Sequence, residues 1–414
     1  MQELFEQTRK ILGPITRNIP DKLIFDIDRC RYLYEQLIKL DNEERIVLRN
    51  TIKALLYYME DLGASDIDIG GVGSQGKVWY RVHGSKRPED SIGSLTLDEM
   101  DLLIFNLIEE KQANILLDKR NFDFSFNLTH EEEDDEVRRL RATIYLDLGH
   151  LALNMRMIEK NIRSIESYDF HKNIINSFSL EKHKSGLILV TGITGSGKST
   201  TLDAIIDYNN CISDSHITVI ADPVERVHKS KMSIVRHREV GTDVLSFKDG
   251  AIQALRQDPD IIMIGEMRAT ETIMTTLELA DTGHKVFSTV HTSSAVETID
   301  RIVDTVPFKY RARVKTRLAD VLEVIVSQKL LPSTRGRLVL AKEVLYITPA
   351  IRAAIKNDNT DEIYGIIRQG SKYGMITLEQ DLERLYRRNI VGFDVAIANA
   401  NNKKHFKDLV KYSY

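Results

Sequence analysis

Residues Gly192-Ile193-Thr194-Gly195-Ser196-Gly197-Lys198-Ser199 spell GxxxxGK[ST] directly after an apolar run, Leu187–Val190, and directly before a helical stretch opening near Thr200. A glycine-rich turn between strand and helix points backbone N–H groups inward and aims a helix N-terminus at the same spot, which makes a cradle for phosphate. The pattern predicts an ATP site built from Gly192, Thr194, Gly195, Ser196, Gly197, Lys198, Ser199 and Thr200. Lys198 should reach the β- and γ-phosphates, and the Ser199 hydroxyl should ligate Mg2+. Such a loop obliges the surrounding chain to be α/β.

The following text agrees. Apolar runs at Leu187–Val190, Ile217–Ile220, Ile261–Ile264, Val286–Val290 and Val324–Val326 alternate with helical segments, which predicts a parallel sheet covered on both faces. In such a sheet the strand C-termini converge on the ligand crevice. Glu266 ends the run Asp260–Gly265, and is expected to orient the attacking water unless it only caps a helix. Asp222 and Glu225, after Ile217–Ile220, reach the same edge, where either could bind the hydration shell of Mg2+. His291 arrives there after Val286–Val290; taken alone, a histidine is more often structural.

Upstream, Asp41–Gly63 reads as one amphipathic helix, with Asp41 or Asn42 as cap, Glu43 and Glu44 in its first turn, and Leu48, Ile52, Leu55, Met59 and Leu62 on one face. From Ala64 to about Ser167 come β-rich runs such as Val78–Val82 and Ala142–Leu146, with a helical stretch near Leu97–Glu110. This mixture predicts a small α+β domain. The acidic run Glu131–Glu136 reads as a solvated hairpin loop. Gly13-Pro14 and Pro20 interrupt the opening residues, which read as a helical appendage. The expected organisation is an appendage over 1–40, an α+β domain over 41–170, the ATPase domain over 171–348, and a C-terminal helical region over 349–414 that includes a helix at Leu378–Arg388.

Composition narrows the function. A formal net charge of −4 gives no basic footprint, which disfavours a nucleic-acid motor and nucleic-acid partners. Cys30 and Cys211 stand far apart, so neither a disulfide framework nor a CxxC metal site is available, and both read as incidental thiols. No window approaches the ~20 apolar residues of a membrane span, and the charged N-terminus is unlike a signal peptide, so a cytoplasmic protein is expected.

The order of motifs resembles the secretion ATPase superfamily, specifically the PilT-type motors that retract type IV pili. Those motifs are the phosphate loop, Asp222-Pro223-Val224-Glu225, Asp258-Pro259-Asp260 running to Gly265-Glu266-Met267-Arg268, Thr282-Gly283-His284, and His291-Thr292. The similarity spans roughly Ala64 to Ala400, including Ala64–Ile69 and Asp300–Asp304 with Pro307. It implies a RecA-like ATPase domain behind a PAS-like α+β domain, and a homohexameric ring working on an inner-membrane platform protein at the inner face of the membrane. It makes Glu266 the catalytic glutamate, Asp222 and Glu225 an aspartate box, and His284 and His291 a histidine box. Arg141 and Arg156 match, in position and separation, the arginines that reach the γ-phosphate, often across the subunit boundary; solvated strand arginines are the plain alternative.

Departures from the family pattern matter too. Ala350–Ile355 resembles an element tied to retraction but lacks its Asn-Leu pair and final Arg-Glu, and it also reads as a packed amphipathic helix. Alanine stands at 221, where the family usually has glutamate, and at 269, where it usually has an acid. These losses keep open an accessory, weakly hydrolysing subunit that docks on a paralogous retraction ATPase, and Arg238–Gly241 with Ala280–His284 resembles the PilU paralogue. A pilus-assembly or type II secretion ATPase is disfavoured by the absence of four-cysteine zinc ligands.

Overall fold

The computed structural model describes residues 2–20, 23, 27–129, 137–158 and 161–412. The acidic run Glu131–Glu136 lies outside the described residues. Contacts divide the chain into two compact units, Met1–Lys160 and Asn161–Tyr414. No helix among the described residues is long and apolar enough to cross a membrane.

The first unit opens with helices α1 (Gln2–Thr16), α2 (Ile27–Leu37) and α3 (Asn42–Asp61). Helix α3 starts where the sequence predicts: Asp41 accepts the Glu44 N–H at 2.8 Å, and Glu44 returns a bond to the Asp41 N–H at 3.1 Å, closing a capping box. Strands β1 (Asp66–Gly70), β2 (Trp79–Val82) and β3 (Ser85–Pro88) follow, then α4 (Leu97–Phe105), α5 (Glu110–Lys119), and the long strands β4 (Asn121–Thr129), β5 (Val137–Asp147) and β6 (His150–Met157). They form one antiparallel sheet in the order β3-β2-β1-β6-β5-β4. The single helix expected near Leu97–Glu110 is two helices, α4 and α5, because four residues without helical structure part them at Asn106–Glu109.

The opening residues supply the helices α1 and α2, and their apolar side chains are not peripheral. Phe5, Leu12, Cys30, Leu33 and Leu37 are buried in the same core as Leu48, Ile52 and Leu55 of α3. The Gly13-Pro14 pair, read as an interruption, lies inside α1 in its last turn, where the proline has no N–H to offer the carbonyl four residues back and the helix ends two residues on. Arg29 of α2, 2% exposed, binds Asp98 and, at 2.7 Å, Asp101 of α4, and lies 3.1 Å from His150 Nδ1. That guanidinium fills the space between the two carboxylates and the imidazole, so the group is a buried ion cluster; removing Arg29 would strand Asp101, at a cost of about 3–5 kcal/mol.

The second unit begins with α6 (Lys172–Phe178), β7 (Gly186–Thr191), α7 (Lys198–Ile212), β8 (His216–Ala221), β9 (Ile234–Glu239), α8 (Phe247–Ala254) and β10 (Ile261–Ile264). It continues through α9 (Thr270–Asp281), β11 (Lys285–Val290), α10 (Ala295–Thr305), α11 (Phe308–Val321), β12 (Leu322–Pro332) and β13 (Leu338–Tyr346). Helices α12 (Pro349–Lys356), α13 (Asp361–Gln369), α14 (Leu378–Arg387), α15 (Phe393–Asn399) and α16 (Lys403–Tyr412) complete it. The sheet order is β13-β12-β7-β11-β10-β8-β9, parallel except for β13.

Alternation within each central strand feeds two cores. Leu187 and Leu189 join one cluster while Ile188 and Val190 join another, and Ile262 with Ile264 parts from Ile261 with Met263 in the same way. A strand buried on both faces has no solvent side to carry polar residues, which is why these runs read as nearly continuous apolar text. Trimming a residue such as Ile188 to alanine should cost about 2–5 kcal/mol. The sequence did not reveal β9: its Ile-Val-Arg-His-Arg-Glu text is that of a half-exposed edge strand.

Candidate active site

The parallel register brings the ends of β7, β8, β10 and β11 to one edge of the sheet. From β7 the chain enters the glycine loop. Gly192 has φ 149°, and a Cβ there would overlap Ser196 Oγ and the Gln328 carbonyl. Gly197, at the cap of α7, has φ 85°. Lys198 folds back over the loop, donating from Nζ to the carbonyls of Gly192 at 2.9 Å and Ile193 at 3.2 Å. Burial draws its pKa below the ordinary lysine value, opposed by Glu266 and Glu225. Thr194 and Gly195 are exposed on the loop, and in the first turn of α7 Ser199 is exposed and Thr200 half-buried. Ser196 Oγ is buried without a hydrogen-bond partner, a polar atom waiting in a cradle shaped for an anion. The residues thus fit a phosphate chain with its cation.

Gln328 of β12 braces this loop. Fully buried, it donates from Nε2 to the Ser196 carbonyl at 2.9 Å and accepts from Thr201 Oγ1 of α7 at 3.0 Å. The sequence did not reveal it: the apolar run that marks β12 is Val324–Val326, and the Ser-Gln pair beyond that run carries no signal of its own.

After β10 the chain turns across its neighbours: the Gly265 N–H bonds the Ile220 carbonyl at 2.8 Å and the Met267 N–H bonds the Thr289 carbonyl at 2.9 Å. This turn holds Glu266 half-buried, with Oε2 3.7 Å from His291 Nε2. Burial first, and then Lys198, push the His291 pKa below its ordinary value; Glu266 opposes them without prevailing. Next to a carboxylate and an ammonium, His291 is therefore a neutral imidazole at pH 7, and it belongs to the loop cluster.

Beyond β8, Asp222 is exposed and Glu225 half-buried. The turn is fastened by Glu239, whose Oε2 accepts the Val224 N–H at 3.0 Å, and by Arg226 and His228, each 3.2 Å from the Asp203 carboxylate of α7.

His284 is not brought to this edge. It precedes β11 while His291 follows it, and its carbonyl accepts the Gly186 N–H at the opposite end of β7. Six strand residues at about 3.3 Å each separate the two histidines by roughly 20 Å, so within one chain they form no box. Arg141 and Arg156 belong to the first unit. They face each other in the β5–β6 register, both exposed, and Arg156 binds Asp66 at 2.8 Å.

The departures from the family pattern acquire local meanings. Ala269 is the N-cap of α9 and offers it no side-chain bond. In α12, Ile351, Ala354 and Ile355 are buried, while Arg352 donates to the carbonyls of Ala319 and Asp320 at the end of α11. The helix is amphipathic and packed, as its spacing predicts.

A sequence model for the Type II/IV secretion system protein family matches residues 41–389. The chain belongs to that family. Among its members, the type IV pilus retractation ATPase PilT of Pseudomonas aeruginosa is 36% identical over 356 residues, covering 86% of this chain and 99% of the relative. The type IV pilus ATPase PilU of the same organism is 31% identical over 362 residues, covering 86% and 90%. A crystal structure of the pilus retraction motor PilT with bound ADP aligns with TM-score 0.76 at 35% identity, covering 86% of this chain and 99% of that one.

Proposed function

We propose that this chain is a homohexameric motor that hydrolyses ATP to retract a type IV pilus, acting on a platform protein at the inner face of the membrane. It is an ATPase of the PilT type. The observation that carries the reading is the convergence of the glycine loop, Lys198, Glu266 and His291 on one sheet edge, in a chain alike in sequence and fold to a retraction motor.

In this reading the loop amides and Lys198 hold the β- and γ-phosphates, the ammonium exchanging the loop carbonyls for phosphate oxygens. The Ser199 hydroxyl would ligate Mg2+, and Asp222 and Glu225 would hold its water ligands. Bound there, the cation supplies positive charge against the phosphate oxygens. Glu266 orients the attacking water, and the neutral imidazole of His291 steadies that carboxylate. Arg141 and Arg156 carry positive charge to the γ-phosphate bound by a neighbouring copy, so that hydrolysis is sensed between subunits. His284 has no part in this site.

Steady-state ATPase assays with Mg2+ test the reading, together with native mass and observation of pili on cells lacking the gene. The expected results are turnover abolished by Glu266→Gln, a sixfold multiple of the chain mass, and loss of retraction. The similarity to PilU and the alanine at position 221 favour a second reading, an accessory subunit beside a paralogous motor. Feeble turnover of the purified protein, with retraction persisting in the deletion strain, would select it.

A further inference from the structure

Strand β13 carries a carboxylate that the nucleotide chemistry leaves unused. Glu343 is 2% exposed. Its carboxylate accepts the N–H of Ala295, the first residue of α10, at 2.7 Å, and a second N–H from Leu378, the first residue of α14. Two helix N-termini therefore converge on one buried acid. Burial pushes its pKa up to about 7, the amides of Ala295 and Leu378 drawing it down without prevailing; in its ionised form it meets the partial positive charge of both helix N-termini.

The place of that grip matters more than its strength. Only three residues lie between His291 and Ala295. Within that span Thr292 Oγ1 lies 2.7 Å from Thr298 Oγ1, and the Ser293 carbonyl accepts from Asn401 Nδ2 at 3.2 Å. Asn401 is held in turn by Lys329 Nζ at 2.8 Å. On α14, next to Leu378, Glu379 accepts the Asn402 N–H at 2.8 Å and the Tyr364 hydroxyl at 2.9 Å. The segment that delivers His291 is thus pinned to the C-terminal helices from two sides. The glycine loop has its own brace in Gln328, and of these residues Thr298 reaches only the end of β7 before it, its Oγ1 3.5 Å from Thr191 Oγ1.

We propose that Glu343 is a positioning residue for hydrolysis: it clasps the start of α10 to the start of α14 and so sets His291 against Glu266. Supporting it, Asn401 anchors the same segment from the α15–α16 turn. The proposal rests on the reading of Glu266 and His291 as the hydrolytic pair. Without the carboxylate, two buried N–H donors lose their acceptor and the segment after His291 relaxes. A displacement of about 1 Å at a reacting centre is enough to cost up to ~10²-fold in rate.

The test uses the full chain and reads kcat separately from affinity for a fluorescent ADP analogue. Glu343→Ala should lower kcat by roughly tenfold or more with analogue affinity within about twofold of wild type, because the loop brace is untouched. Glu343→Gln keeps one acceptor for two donors and should fall between. The exposed Asn401→Ala should lower kcat by a few fold, and it carries the test with Glu343→Gln if Glu343→Ala does not fold. Wild-type kcat in folded Glu343→Ala, or kcat and analogue affinity declining in parallel across the variants, would overturn the clasp. Glu266→Gln and His291→Ala run alongside. If both keep wild-type kcat, the hydrolytic pair itself is wrong and the clasp falls with it; if both lose kcat while the Glu343 and Asn401 variants do not, the clasp alone fails.

Discussion

The two ends of the seven-stranded sheet are built from similar residue types and differ in how those residues are engaged. At the end where the strands begin, Lys285, wholly buried, pairs with Glu323 at 2.9 Å, His183 lies 3.5 Å from the same carboxylate, and His284 Nδ1 lies 3.1 Å from both Thr282 Oγ1 and the Leu279 carbonyl. At the end where the strands finish, Lys198 leans on carbonyls of its own loop, and Glu266 and His291 stand at 3.7 Å. One end satisfies its charges internally; the other keeps an ammonium, a carboxylate and an imidazole within reach of a ligand. Burial lowers the pKa of both lysines, so burial alone does not mark the functional one. What marks it is a partner that a phosphate can replace.

The contrast can be broken most directly at Glu266. Glu266→Gln should reduce kcat by about 10²–10⁴-fold with little effect on nucleotide affinity, and equal turnover would erase the distinction between the ends. Glu323→Gln should do the reverse: it strips the buried Lys285 of its counter-charge and should cost about 2–4 kcal/mol in chemical denaturation, discounted because Glu323 is partly solvated, while activity per folded molecule stays near wild type. The two histidines sharpen the comparison. His291→Ala should lower kcat by roughly tenfold and His284→Ala by less than about twofold, since only the former stands by the carboxylate.

A smaller effect lies in the pH profile. The folded state holds the His291 pKa below its ordinary 6.5, so the imidazole stays neutral as pH falls through 6.5 and charges only under more acidic conditions. The acid limb of kcat that belongs to His291 should therefore lie below pH 6.5 and vanish in His291→Gln. The sign follows first from burial, then from Lys198 with Arg301 and Arg268, against the single opposing carboxylate, Glu266. The smallest change concerns the end of the Glu266 turn: Ala269→Asp supplies α9 with the cap it lacks and should raise stability by about 1 kcal/mol in thermal unfolding.

Much of this contrast could be read in the sequence, where chemistry and local geometry coincide. The glycine loop, the Asp222–Glu225 turn and Glu266 all follow apolar runs, and a parallel sheet must gather such positions at one edge. His284 shows the limit of resemblance. The apolar run Val286–Val290 that separates it from His291 was visible, and the strand rise alone puts the two at opposite ends. Gln328 and Glu343 were hidden for a different reason, because their partners depend on β12 and β13 joining the sheet beside β7, an adjacency that no local pattern encodes. The α4–α5 break and the β9 edge strand escaped because short polar-rich segments carry little periodicity.

The participation of α1 and α2 in the first unit's core has a practical corollary for anyone grafting parts between secretion motors. A hybrid joined at residue 41, where the family match begins, would remove Phe5, Leu12, Leu33 and Leu37 from the interior and leave Asp101 without its guanidinium. The recipient would inherit a wet, negatively charged flank in place of a sealed one. The leading helices travel with their sheet or the hybrid does not hold together.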